Sequence, residues 1–210
     1  KPNPEIKIKH FFNEKLYYDN ELESYACEFD KRILKIKPNT NIKGLFQSEK
    51  YLFNFNINEF IKTIKRVKRE SKISKNQCVL NIRGGEYKRH MNLILPRSYW
   101  LNAIENMKIF RKDLEFCIIT DDYNYASKLL PNLKIIEGDI SDDFYNLLNA
   151  DYVIVSNSSF AYFPINLGKK PKKVIAPANW SRFGNSYNRW ISPSNYYKLW
   201  SYQNNKGQII

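Results

Sequence analysis

The sequence predicts an α/β protein built on a doubly wound parallel sheet. From Gln77 onward, five short apolar segments alternate with four helical segments of 8 to 15 residues, the spacing of parallel βαβ units. Turn formers punctuate the alternation, with Pro96 near the start of one helix, Pro131 stopping the next and Gly168 ending the last. Hydrophobic residues make up 43% of the 210-residue chain and charged residues 26%, a balance that supports a buried core and excludes wholesale disorder.

Residues 1–56 carry no long periodicity and read as a reduced or truncated N-terminal region. They hold a β-like Ile6-Lys7-Ile8, an aromatic and acidic stretch from Phe11 to Phe29, and Arg32 to Lys37 closed by Pro38-Asn39. Ile57, Phe60, Ile61, Ile64 and Val67 then share one helical face and Lys62, Lys65, Arg66 and Arg69 the other, which predicts a basic amphipathic helix running from Ile57 to Lys75. Residues 57–180 form the expected α/β domain. Its strands are read at 77–83, 114–120, 133–137, 152–156 and 173–176, and its helices at 96–110, 123–130, 142–149 and 159–167. Trp100, Ala103, Ile104 and Met107 line the inner side of the first helix, and Phe144, Leu147 and Leu148 that of the third. The aromatic tail, 181–210, is expected to pack back over the domain.

Thirty-four Lys and Arg against 21 Asp and Glu leave a formal charge of +13, which directs attention to phosphates or an anionic membrane surface. Seven glycines exclude collagen-like and Gly-rich linker compositions. Three widely spaced cysteines, Cys27, Cys78 and Cys117, argue against a disulfide framework and for a reducing compartment. No apolar run approaches the ~20 residues that span a bilayer, and Lys1-Pro2-Asn3-Pro4 is no signal peptide. The expected location is therefore cytoplasmic, or peripheral at the inner face of a membrane. The absence of an initiating Met points to a gene product that extends upstream.

In an open parallel sheet, ligands bind beyond the carboxyl ends of the strands. Those ends carry Arg83-Gly84-Gly85-Glu86, Thr120-Asp121-Asp122, Asn157-Ser158-Ser159-Phe160 and Pro177-Ala178-Asn179-Trp180. An arginine, small residues and a hydroxyl pair opening a helix make a cradle for a diphosphate. Helix-terminal amides would attract it by about 0.3–2 kcal/mol, and arginine hydrogen bonds by roughly 1.5–3 kcal/mol each. Simpler roles compete: a surface position for Arg83, an N-cap for Ser158 and Ser159, and a cap or a metal ligand for Asp121-Asp122. Neither a Gly-x-Gly-x-x-Gly fingerprint nor a P-loop is present, so hydride transfer and ATP hydrolysis lose support.

Asn81-Ile82-Arg83-Gly84-Gly85-Glu86-Tyr87 resembles the His-x-Arg-Arg-x-Asp motif of the α1,2- and α1,6-fucosyltransferase superfamily, and of glycosyltransferase family 11 in particular. Three further blocks fit that family in order: Gly44 to Tyr51, Ile119 to Asp122, and Asn157 to Phe163 followed by Val174 to Trp180. The resemblance spans about residues 42–180. It implies a GT-B-like fold whose Rossmann-type C-terminal part holds GDP-fucose, an acceptor-side N-terminal region, and no metal. By position it implies that Arg83 contacts the donor's β-phosphate, and that Asn81, Asp121, Asn157, Ser158, Ser159 and Phe160 surround the nucleotide. The motif departs from the family pattern at Asn81, Gly84 and Glu86, with Lys88 or Arg89 available to replace the second arginine. Glu86 is the nearest candidate general base, with His90 and an ordinary loop salt bridge of Glu86 as alternatives. The family's Gly-rich N-terminal segment does not occur in the chain, which is expected to begin downstream of it.

The resemblance thus implies an inverting, metal-independent glycosyltransferase moving L-fucose from GDP-fucose onto a galactoside of a glycan or lipid-linked glycan. The basic helix and the Lys169–Lys173 loop are then a solvated face or a weak dock for anionic lipid. Two other readings stand beside it: a non-catalytic nucleotide- or glycan-binding remnant, and a basic nucleic-acid-binding protein. The last lacks any recognition signature, and no nucleic-acid partner is expected. The transferase reading requires Arg83 and the turn at 158–159 to meet in one positively biased notch.

Overall fold

A computed structural model describes residues 7–19, 24–27, 29–46, 48–52, 59, 62, 69–90, 93–168, 171–178, 197 and 199–210. The chain forms two units, residues 1–55 with 190–197 and residues 56–189 with 198–210. In the first, β1 (His10–Asn13), β2 (Leu16–Asp19), β3 (Ser24–Cys27) and β4 (Thr40–Lys43) make two small ladders, β1 parallel to β4 and β2 antiparallel to β3. The β-like reading at Ile6 to Ile8 is displaced: Lys7 and Ile8 are outside any strand, and Ile6 lies outside the described residues. The Glu14 carboxylate accepts the amides of Leu45 and Phe46 at 2.6 and 3.0 Å. Gly44 is needed beside it, because a Cβ there would stand 2.4 Å from that of Glu14.

The second unit is an α/β domain with a six-stranded sheet. Its elements are β5 (Gln77–Ile82), α1 (Arg97–Phe110), β6 (Glu115–Thr120), α2 (Tyr123–Leu129), β7 (Lys134–Ile135), α3 (Ile140–Asn149), β8 (Tyr152–Val155), α4 (Tyr162–Leu167), β9 (Lys173–Pro177) and β10 (Ser201–Gln203). The strand order is β10-β9-β8-β5-β6-β7, and every neighbouring pair is parallel. Read from β5, this is the 3-2-1-4-5-6 order of a Rossmann-like sheet. The sixth strand was not expected from the sequence. Three residues are too short for a periodic signal, and their pairing with Ile175 to Pro177 is made across a long stretch of chain.

Alternation along β5 assigns its two faces. Cys78, Leu80 and Ile82 join Tyr99, Trp100, Ala103, Ile104 and Met107 of α1 and Ala126 of α2 in one apolar cluster. Val79 and Asn81 point to the opposite face. Right-handed crossovers put the helices of connections running away from β5 in opposite directions on opposite faces, so α4 covers that side, with α3 packed against it. Leu147, Ile165 and Leu167 are buried there. Of the residues read as facing inward on α3, Leu147 is fully buried and Phe144 and Leu148 half-buried, while Asn146 is buried with them.

The expected basic helix ends early. Among its described residues Glu59 and Lys62 are helical, but residues 69–74 are not, and the remainder up to 68 lies outside the described residues. The cause is competition for hydrogen bonds. The Lys72 amide donates to Asn146 Oδ1 at 2.9 Å, that of Ile73 to Ser71 Oγ at 3.2 Å and that of Ser74 to Gln77 Oε1 at 2.9 Å, so side chains take these amides in place of carbonyls four residues back, while Arg69 pairs with Asp139 and Asp142. In the expected lysine loop, Lys172 pairs with Asp151 and Lys173 donates to Ser201. Residues 169–170, 179–196 and 198, which include most of the aromatic tail, lie outside the described residues. Among the described residues no helix is long and apolar enough to cross a membrane.

The end of β8 is fixed by a buried hydrogen bond from Tyr99 Oη to the Val155 carbonyl at 2.7 Å. Tyr99→Phe, which leaves that carbonyl unpaired, is expected to lower the unfolding free energy by about 1–3 kcal/mol. Urea denaturation followed by circular dichroism reads the loss.

Candidate functional site

A pocket of about 250 Å³ opens beyond the carboxyl ends of β5, β6 and β8. It is lined by Asn81, Ile82, Arg83, Thr120, Asp121, Gly138, Ile140, Asp143, Ser158 and Phe160. β5 pairs with β6 on one side and β8 on the other, so the pocket lies at the point where the strand order reverses, which is where open α/β sheets form ligand crevices. Arg83 and Ser158, 75 residues apart in sequence, meet in it.

Asn81 is the polar residue in the interior of β5. The residue is 7% exposed and lines the pocket, and its carboxamide makes no hydrogen bond among the described residues. An amide left free at a pocket wall can be satisfied by a ligand or by water. Arg83 follows one residue past the strand. Its Nη1 pairs with Asp121 Oδ2 at 2.7 Å, its Nη2 with Glu86 Oε1 at 3.1 Å, and the guanidinium lies 5.4 Å over the Tyr87 ring. Asp121 Oδ1 accepts the Gly84 amide at 2.8 Å. Gly85 has φ +23, and a Cβ there would lie 2.2 Å from Asp121 Oδ2, so glycine is required on both conformational and steric grounds.

The other expected site residues divide. Ser158 lines the pocket, and its Oγ accepts the Phe160 amide at 3.4 Å as the cap of a short 3₁₀ turn; Phe160 lines the pocket beside it. Ser159 is exposed and Asn157 buried, and both are outside the lining. Asn157 instead ties the arginine loop to β8, donating to the Leu93 carbonyl at 3.0 Å while its own carbonyl accepts the Tyr87 hydroxyl at 3.3 Å. α4 is six residues long and preceded by that 3₁₀ turn, so few peptide dipoles align toward the pocket and the expected helix-end anion site is weak.

Glu86 is exposed and outside the lining, engaged with Arg83 as the loop salt bridge weighed from the sequence. His90 is exposed and also outside the lining. Neither Lys88 nor Arg89 supplies a second cation to the pocket: Lys88 pairs with Asp122, and Arg89 is outside the lining. Asp122 caps α2 through the Tyr125 amide, and Asp121 pairs with Arg83 and accepts the Gly84 amide.

Sequence reasoning placed Thr120 at a strand end without a role and missed Gly138, Ile140 and above all Asp143. Asp143 is half-buried and lines the pocket, and its carboxyl group makes no hydrogen bond or ion pair among the described residues. Burial, reinforced by the nearby charges of Asp142, Asp139 and Asp121, pushes its carboxyl up to about 7, while Lys72 acts in the other direction. The expected positive bias of the notch is therefore corrected: the lining holds one guanidinium and two aspartates. The reason is that α3 delivers an acidic first turn to a site read only from strand ends. The signal available in the sequence was Asp139-Ile140-Ser141-Asp142-Asp143, more carboxylates than a helix cap needs.

No protein-family model matches the chain, and no curated protein matches it significantly.

Asp143 makes stability depend on pH with a definite sign. Its folded-state pKa, about 7, lies above the ordinary value of 3.8, so the folded state holds the proton more tightly. Its contribution to stability is full below about pH 4 and is lost as pH rises through about 7. Asp143→Asn is therefore expected to melt at a higher temperature than the parent at pH 8 and at nearly the same temperature at pH 4. Differential scanning calorimetry at the two pH values checks this.

Proposed function

We propose that the chain is an inverting glycosyltransferase that binds a nucleoside diphosphate sugar in the β5/β8 crevice and moves the sugar to a glycan hydroxyl. The donor is GDP-fucose and the acceptor a galactoside α1,2-linked in the product, with no metal required. In this reading the second unit is the donor-binding half of a GT-B-like protein. One observation carries the proposal: Asn81 and Arg83, Asp121, and Ser158 and Phe160, chosen from three separate strand ends by their resemblance to a fucosyltransferase pattern, line a single pocket at the strand-order reversal.

The chemistry fits the donor at both ends. As the glycosidic bond to phosphate breaks, the sugar becomes oxocarbenium-like and negative charge grows on the departing GDP. A fixed guanidinium at Arg83 stabilises that charge more in the transition state than in the ground state. The uncommitted polar groups, the Asn81 amide and the Asp143 carboxyl, suit hydrogen-bonding parts of a ligand. A carboxylate offers two acceptor oxygens, and the N1–H and exocyclic amine of guanine present a matching donor pair. Ile82, Ile140 and Phe160 supply apolar surface for a base or sugar face.

A second reading, nucleotide binding without transfer, is favoured by the engagement of Glu86 with Arg83, which leaves the motif without an uncommitted base. The two readings separate experimentally. GDP is expected to raise the melting temperature, and Arg83→Ala to abolish that rise and cut transfer by about 100- to 1,000-fold. The checks are thermal-shift titration and detection of product from GDP-fucose with a panel of galactosides. A thermal shift without product selects the binding-only reading, and an undiminished shift in Arg83→Ala removes Arg83 from the site.

A further inference from the structure

We propose that the two carboxylates on Arg83 act in opposite senses: Asp121 is a positioning residue that stays in place, and Glu86 is an exchangeable counter-ion whose place a ligand phosphate takes. This rests on reading Arg83 as the phosphate-binding group.

The geometry separates the two partners. Asp121 uses both oxygens on consecutive residues, Oδ2 on Arg83 Nη1 at 2.7 Å and Oδ1 on the Gly84 amide at 2.8 Å. Its side chain is 29% exposed, it belongs to the pocket lining, and Gly85 leaves room for it where any Cβ would collide. Breaking this clamp frees the backbone of the loop as well as the guanidinium. Glu86 makes one contact, at 3.1 Å to Nη2; its side chain is 69% exposed and it sits outside the lining on a short 3₁₀ turn. Releasing it returns an already hydrated carboxylate to water and leaves the loop's other bonds intact.

A guanidinium binds an oxyanion through paired N–H groups in its plane. With Nη1 held by Asp121 and the Tyr87 ring against the guanidinium, the Nη2 edge occupied by Glu86 is the one that exchange can open. Glu86 thus keeps the arginine charge compensated and oriented while the pocket is empty. It competes with a phosphate when one arrives. Asp121 fixes the direction from which the phosphate must approach.

Opposite signs follow for two substitutions that remove the same formal charge. Isothermal titration with inorganic pyrophosphate and with GDP, at pH 7.5 and constant ionic strength, is applied to the parent, Glu86→Gln, Asp121→Asn and each of these combined with Arg83→Ala. Glu86→Gln, at an exposed position that leaves the fold intact, is expected to tighten both ligands by about two- to fivefold, the range of an exposed ion pair. Asp121→Asn is expected to weaken both by about ten- to a hundredfold, the range of a hydrogen bond to a charged group. In the Arg83→Ala background neither change alters what binding remains. Tightening in both variants means simple charge repulsion and overturns the proposal, as does weakening in both, or a Glu86→Gln gain that persists without Arg83. Parent protein that binds pyrophosphate and GDP with no gain in Glu86→Gln overturns the exchange alone, whereas a parent that binds neither overturns the reading of Arg83 together with it.

Discussion

The position of β5 between β6 and β8 is the constraint from which the site follows. All three strands run in one direction, so their carboxyl ends share an edge. The connections from β5 and from β8 leave toward opposite faces. Two loops that diverge from adjacent strands leave a crevice that no main chain can fill. The core beneath is apolar on both faces, with Leu80, Ile82, Ile118 and Ile154 on one side and Val79, Ile119, Val153 and Val155 on the other, all at most 1% exposed. Asn81 interrupts that apolar interior one residue before the strand ends. A polar side chain is tolerated there because the crevice begins at that level.

The electrostatics of the crevice differ from those of the whole chain. A formal +13 describes the surface at large, yet the lining holds one guanidinium against two aspartates. Asp121 lies in close contact with Arg83 and is balanced by it, while Asp143 lacks such a partner and resists ionisation. Under the proposed function, recognition in this pocket depends on directed hydrogen bonds and on the orientation of a single arginine more than on an excess of positive charge. That orientation is shared among loops: Asp121 from the end of β6, Tyr87 from the arginine's own loop, and Asn157, which anchors that loop to β8.

Much of the domain was legible in the sequence because its elements are short, regularly spaced and strongly apolar. The strands at Gln77–Ile82, Glu115–Thr120, Tyr152–Val155 and Lys173–Pro177 fall within or next to the expected spans, and α1 and α2 start and stop at Pro96 and before Pro131 as their punctuation dictates. Local pattern also located the strand ends, and so Arg83, Asp121 and Ser158. It failed where a segment's partners are distant. β10 exists as a strand only because β9 offers an open edge, and residues 72–74 leave the helical pattern because the side chains of Asn146, Ser71 and Gln77 take up their amides. Asn157 and Ser159 sit in the right block, yet one is turned inward to Leu93 and the other outward to solvent, a choice made by the 3₁₀ turn that follows.

By itself the amino-acid order determined the α/β class, the succession of strands and helices, and which residues stand at strand termini, since each depends on periodicity and on turn chemistry within a few residues. The tertiary structure alone decided the strand order, the merging of three strand ends into one pocket, the pairing of Arg83 with Asp121 and Glu86, and the arrival of Asp143 from α3. These are contacts between segments far apart in the chain, and their energies appear only when packing brings the side chains together and withdraws them from water.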